Sequence, residues 1–80
     1  MLIGKETTLN SMKAGEGGTL IRVDGGHRMV ERLAALGIRP GKRVTKISSM
    51  FMRGPVTIQI DEAQVAIGYR MSSKIIIKLD

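Results

Sequence analysis

Hydrophobic residues recur along the chain with two different periods. In residues 56–61 the apolar side chains Val56, Ile58 and Ile60 alternate with polar ones, the pattern of a β-strand with one buried face. In residues 28–36 the apolar positions are spaced by three and four, as on one face of a helix: Met29, Val30, Leu33, Ala34 and Leu36. The chain therefore combines strands with an amphipathic helix.

Shorter apolar runs predict the remaining elements. We expect further strands over residues 19–23, 42–47, 64–67 and 75–79, and one turn of 3₁₀ helix within a tight connection over residues 68–73. Residues 1–8 are either a flexible N-terminal tail or an edge strand. A short antiparallel sheet does best when it closes on itself, because closure removes exposed edges. The sequence predicts one mainly β domain over residues 1–80: a small SH3-like barrel of about five antiparallel strands, with one short α-helix inserted after the first main strand.

Glycine and proline mark the turns between these elements. Gly37 fits the left-handed position just past the helix, and Pro40 cannot continue a helix. We interpret six residues as structural turn residues: Gly15, Gly37, Pro40, Gly41, Gly54 and Pro55.

Lys46 interrupts the pattern of its strand. It stands where alternation with Val44 requires an apolar residue, so we expect a β-bulge or an edge position there. An uncovered edge near Lys46, together with an apolar hairpin tip, would permit weak self-association.

The composition limits the chemistry that the chain can perform. It has no cysteine, which excludes a disulfide framework and a thiolate metal site and is typical of a reducing compartment. It has neither a signal peptide nor the roughly 18 consecutive apolar residues of a membrane span. We therefore expect a soluble cytoplasmic protein.

The net charge of +6 is concentrated in one part of the chain. Between Arg28 and Arg53, seven basic residues accompany a single acidic one, Glu31. Such a region favours an acidic partner protein, nucleic acid or an anionic membrane surface, unless it is only a solvated face. Nucleic acid is the weaker alternative, because Phe51 and Tyr69 are the only aromatic residues available for base stacking.

The predicted hairpin tip joins apolar and basic residues. Met50, Phe51 and Met52 cannot all point inward, because neighbouring side chains of a strand alternate between its faces. Either the tip folds over the end of the barrel, or some of these side chains are exposed for binding. The hypothetical partner-binding surface consists of Met50, Phe51, Met52, Arg53, Arg39, Lys42 and Arg43.

Candidate catalytic and metal sites are weak. His27 is the only histidine, and Glu31 follows it at one helical turn, but two ligands are too few for a closed metal site. Residues 24–26, Asp-Gly-Gly, precede the helix without the lysine of a phosphate-binding loop, so we interpret them as a turn. We expect no enzymatic activity, no cofactor and no small-molecule substrate.

Several sequence features occur together in this chain: Leu9, Gly15, the helix end Leu33-x-x-Leu36-Gly37-Ile38, Pro40-Gly41, Gly54-Pro55, Val65-Ala66-Ile67 and Ile75. Through these features the chain resembles, over about residues 9–79, the ferrous iron transport protein A (FeoA) domain family. The chain departs from the family at three positions: Gly68 replaces a common arginine, Ser72 a usual alanine, and Lys46 a usually apolar residue.

The resemblance implies a small cytoplasmic accessory protein of bacterial ferrous iron uptake. Its implied partner is a large membrane iron transporter with a GTP-binding domain, which would hold it at the inner membrane. The family also carries an association with transition metal ion binding. Two alternatives stay open: a small basic barrel that binds nucleic acid, and a detached interaction domain of an iron-dependent regulator.

Overall fold

A computed structural model describes residues 5–49 and 54–80 of the chain. In chain order the elements are β1 (Glu6–Thr8), β2 (Gly17–Val23), α1 (His27–Ala35), β3 (Arg43–Ser49), β4 (Val56–Ile60), β5 (Ala63–Ile67), α2 (Tyr69–Ser72) and β6 (Ile75–Leu79). The strands form one antiparallel sheet in the order β1-β6-β2-β3-β4-β5. The predicted mainly β fold, with a helix after the first main strand, is confirmed.

The structure has more elements than the pattern predicts. The described residues form six strands and not five, because Glu6–Thr8, which we left open as tail or edge strand, pairs with β6 as an edge strand. Residues 69–72 form a short α-helix where we expected one turn of 3₁₀ helix. Both segments are too short to carry a hydrophobic period, and their partners lie far away in the sequence.

The hydrophobic core lies between the inner faces of the bent sheet and the inner side of α1. Alternate residues of β4 are buried, which confirms the predicted inward face of Val56, Ile58 and Ile60. The remaining buried hydrophobic residues are Leu9, Met12, Leu20, Leu33, Ile38, Val44, Ile67, Ile75 and Ile77. They come from nearly every element, so the core depends on the complete sheet.

Helix α1 ends at the predicted glycine. Gly37 has a φ of 86° and donates its N–H to the carbonyl of Ala34, while Ile38 donates to the carbonyl of Leu33. This pair of hydrogen bonds caps the last carbonyls of the helix and packs Ile38 against Leu33 in the core. Leu36 was expected on the buried face, but it is 55% exposed. It lies beyond the last helical turn, and the reversal at Gly37 buries Ile38 in its place.

Lys46 is neither exposed nor at an edge. Strand β3 lies inside the sheet between β2 and β4, so the expected edge position is wrong, although a register shift between Lys46 and Ser48 supplies the expected bulge. The side chain is 1% exposed, and its Nζ donates to the carbonyls of Leu9, Asn10 and Met12 at 3.0, 3.0 and 2.5 Å. A buried ammonium therefore fixes the loop between β1 and β2.

Candidate partner-docking surface

An open groove of about 550 Å³ lies between the two helices. Its lining combines apolar and charged side chains: Arg28, Met29, Glu31, Arg32 and Met71. Met29 of α1 and Met71 of α2 are partly buried and pack against the hydrophobic core. The charged side chains occupy the exposed face of α1. The groove thus offers an apolar floor with a charged rim.

Of the charged side chains in this groove, one already has a partner among the described residues and two do not. Oε1 of Glu31 already lies 2.9 Å from Nε2 of His27, one helical turn away. Arg28 and Arg32, in contrast, form no ion pair within residues 5–49 and 54–80. Two guanidinium groups one helical turn apart are therefore free to bind carboxylates, and guanidinium geometry suits paired oxygens.

Two basic residues of the hypothetical partner-binding surface, Lys42 and Arg43, already form ion pairs with acidic residues. Nζ of Lys42 bonds Oδ2 of Asp61 at 2.9 Å. Arg43 binds both carboxylate oxygens of Asp80, at 2.5 and 2.6 Å, and this hydrogen-bonded pair raises the pKa of Arg43 and lowers the pKa of Asp80. Sequence separations of 19 and 37 residues hid both pairs from the pattern.

Part of the positive charge of residues 28–53 is not paired in this way. Arg39 is exposed and forms no ion pair with any described residue, and it follows the end of α1. Arg28, Arg32 and Arg39 thus form a group of unpaired cations on the helix and its exit, besides the exposed and equally unpaired Lys5, Lys13, Arg70, Lys74 and Lys78 elsewhere among the described residues. Lys42 and Arg43 are instead held in surface ion pairs with Asp61 and Asp80.

The hairpin tip falls outside the described residues. Met50, Phe51, Met52 and Arg53 are among the positions that the structure leaves undescribed, so their part in a partner surface stays a prediction. The turn residues Gly54 and Pro55 lead directly into β4.

The weak metal candidates bind each other. The side chains of His27 and Glu31 are 87% and 66% exposed, and their contact is an ordinary helical pair one turn apart. Among the residues that the structure describes, no cluster of three or more histidine, aspartate or glutamate side chains could hold a metal ion. In this same part of the chain, no helix is long and apolar enough to cross a membrane.

Sequence reasoning missed the groove because it depends on α2. The available signal is the spacing of Arg28 and Arg32, which puts both on the helix face opposite the apolar positions. No pattern places Met71 opposite Met29, because the sequence predicts residues 68–73 only as a tight connection. The position of α2 is set by long-range contacts, including the hydrogen bond from Nδ2 of Asn10 to the carbonyl of Tyr69.

Comparison with known proteins identifies the family of this chain. The FeoA domain profile matches residues 7–79. The chain belongs to the FeoA domain family, a family of non-catalytic accessory domains linked to iron transport. The resemblance inferred from the turn motifs is thus confirmed. No curated protein sequence matches the chain significantly.

Solved structures show the same fold at low sequence identity. An iron uptake regulatory protein (FeoA) superposes with a TM-score of 0.88 at 24% identity, covering 95% of this chain and all of that one. The FeoA protein of Chlorobium tepidum gives 0.82 at 17% identity, covering 92% of this chain and 71% of that one. A manganese-dependent transcriptional repressor gives 0.87 at 23% identity, but the match covers 96% of this chain and only 43% of the repressor.

Proposed function

We propose that this protein is a cytoplasmic accessory module of bacterial ferrous iron uptake, and that it binds the cytoplasmic portion of a membrane iron transporter with a GTP-binding domain. Membership of the FeoA family supports the link to iron transport. The groove between α1 and α2 supports a binding role, because it offers both an apolar floor and unpaired charge. The protein stays at the inner membrane only through this partner.

The observation that carries the proposal is the pairing of free guanidinium groups with half-buried methionines. Met29 and Met71 provide flexible, polarisable contacts that adapt to an apolar side chain. Arg28 and Arg32 lie on the rim of the same groove and complement carboxylates. The occupant is therefore a short acidic segment of the transporter with at least one large apolar side chain.

The hairpin tip extends this proposal. Arg39 lies between the end of α1 and the turn that leads to β3, and the tip residues Met50, Phe51 and Met52 follow β3 in the chain. An apolar anchor contributes most of the binding energy at such surfaces, whereas charges mainly set encounter and orientation. On this proposal Phe51→Ala speeds dissociation from the transporter and leaves the association rate unchanged.

Calorimetry with the purified transporter tests the groove. We expect Arg28→Glu/Arg32→Glu to weaken binding by about a factor of ten or more, because each substitution replaces attraction to a carboxylate by repulsion. The matched control is Lys5→Glu/Lys13→Glu, which changes the net charge equally at exposed lysines away from the groove. The control keeps the affinity of the parent. Equal weakening by both variants, or by neither, contradicts the groove as the docking site.

The likeness to the manganese-dependent repressor supports a second candidate function. In that protein the matched region is less than half of the chain, so the domain there works beside other parts. By analogy, this chain would bind a regulator instead of a transporter. Co-purification from cells distinguishes the two, because the transporter is an integral membrane protein and a regulator is recovered from the soluble fraction.

A further inference from the structure

Among the residues that the structure describes, strand β5 leaves part of its backbone unpaired at the end of the sheet. The turn between β4 and β5 has two residues, Asp61 and Glu62, and Ile60 pairs with Ala63 across it. A pair that closes so short a turn exchanges both of its hydrogen bonds, and such pairs alternate along an antiparallel ladder. Ala63, Val65 and Ile67 therefore bond to β4. The backbone N–H and C=O groups of Gln64 and Ala66 point to the open side of β5, away from β4.

Within residues 5–49 and 54–80, this outer edge lacks the usual protection. Natural edge strands are short, or they carry charges or proline that prevent pairing with another chain. Strand β1, at the other end of the sheet, has three residues and places Glu6 opposite Lys78. Strand β5 has five residues without a charge or a proline, and Gln64 and Ala66 are exposed. It is therefore suited to accept another strand.

The sequence of β5 is self-complementary in an antiparallel arrangement. When Val65 faces Val65 of a second copy, Gln64 of each copy faces Ala66 of the other. The outward-pointing backbone N–H and C=O groups of both residues then have hydrogen-bonding partners. The same register places Glu62 opposite Gly68 of the second copy, two positions from Arg70. Within the described part of the chain, neither Glu62 nor Arg70 forms an ion pair.

We propose that β5 pairs antiparallel with β5 of a second copy, about a two-fold axis at Val65, and so extends the sheet across a homodimer. The contact is a two-stranded ribbon flanked by two Glu62–Arg70 pairs. Its buried surface area is smaller than the total of about 1,200 Å² that typical stable complexes bury. The dimer is therefore weak and depends on concentration. This surface uses none of the groove residues, so the proposal does not depend on the proposed function.

The first test measures mass and amide exchange together. Sedimentation equilibrium from about 10 µM to about 1 mM covers the affinities expected of a weak contact. Salt at about 0.15 M shortens the Debye length to about 8 Å and reduces the repulsion between two copies of net charge +6. We expect the average mass to approach that of a dimer with rising concentration. Exchange of the Gln64 and Ala66 amides should slow in parallel, whereas Val65 is protected at every concentration.

Variants locate the contact. Ala66→Pro removes an outward N–H and leaves the hydrogen bonds to β4 in place, so this variant should stay monomeric at every concentration. Glu62→Arg brings like charges together and should weaken association by about two- to fivefold, and Glu62→Arg/Arg70→Glu should restore it. Lys13→Glu is the control for a charge change elsewhere. If Ala66→Pro fails to fold, the comparison of Glu62→Arg with Glu62→Arg/Arg70→Glu still tests the contact.

Two results overturn the proposal. One is a protein that stays monomeric up to the highest concentration. The other is a mass increase during which the Gln64 and Ala66 amides exchange at an unchanged rate, because the copies then meet at a different surface.

Discussion

At the scale of single residues, the buried ammonium of Lys46 is the feature that most affects the fold. Burial lowers the pKa of Lys46, and Glu16 opposes this effect. Three carbonyl acceptors compensate the lost hydration of the charge. The backbone of Lys46 also bonds the segment before β2, accepting from Gly15 and donating to Glu16. One residue thus holds residues 9–16 against β3.

Replacement of Lys46 by methionine should destabilise the protein by about 2–4 kcal/mol. The stem of the side chain is preserved, but the three carbonyls lose their donor in a site with little access to water. Urea denaturation followed by circular dichroism measures the loss. Lys13→Met, at an exposed lysine, should change the stability by no more than about 0.5 kcal/mol. Equal stabilities of the two variants would mean that the ammonium contributes nothing to the loop.

His27 and Glu31 supply the residue-scale prediction on metal binding. An imidazole and one carboxylate, both largely exposed, leave most of the coordination sphere of a ferrous ion to water. Anaerobic calorimetry should therefore detect no stoichiometric site with sub-micromolar affinity. A site of that strength in the parent that disappears in His27→Ala would refute this expectation.

At the scale of elements, the end of α1 is decided by backbone conformation. Gly37 has a positive φ, and a Cβ added there meets no atom within 4 Å. The cost of substitution arises from the left-handed conformation itself. We expect Gly37→Val to reduce the stability by about 1–3 kcal/mol, measured as a lower melting temperature.

Asparagine at the same position is the matched control. It tolerates the left-handed conformation better than a β-branched residue, so Gly37→Asn should lose clearly less stability than Gly37→Val. A similar loss in the two variants would indicate that something other than φ makes the glycine necessary.

The elements also separate what local sequence predicts from what it does not. The alternation in β4 and the glycine after α1 are local signals, and both elements formed where these signals placed them. Strand β1 depends on pairing with β6 at the opposite end of the sequence, and Lys46 is buried only because a distant loop supplies carbonyls. Such contacts leave no period in the sequence, so the groove between α1 and α2 could not be predicted either.

At the scale of the whole molecule, folding redistributes the positive charge. The sheet order brings Asp80 to Arg43 and Asp61 to Lys42, and these pairs neutralise the base of the predicted basic hairpin. Arg28 and Arg32 keep their charges free. On the proposed function, the surface offered to an acidic partner thus depends on the three-dimensional fold and not on the density of basic residues along the chain.

Association kinetics with the transporter distinguish local from global charge. Arg28→Gln/Arg32→Gln and Lys42→Gln/Arg43→Gln each remove two positive charges and lower the net charge equally. If the groove is the docking site, the first variant should associate about tenfold more slowly at low salt, with a flatter dependence on salt. The second should associate at nearly the rate of the parent. Equal slowing of both variants would mean that the net charge alone steers the encounter, and that the partner binds at a surface other than the groove.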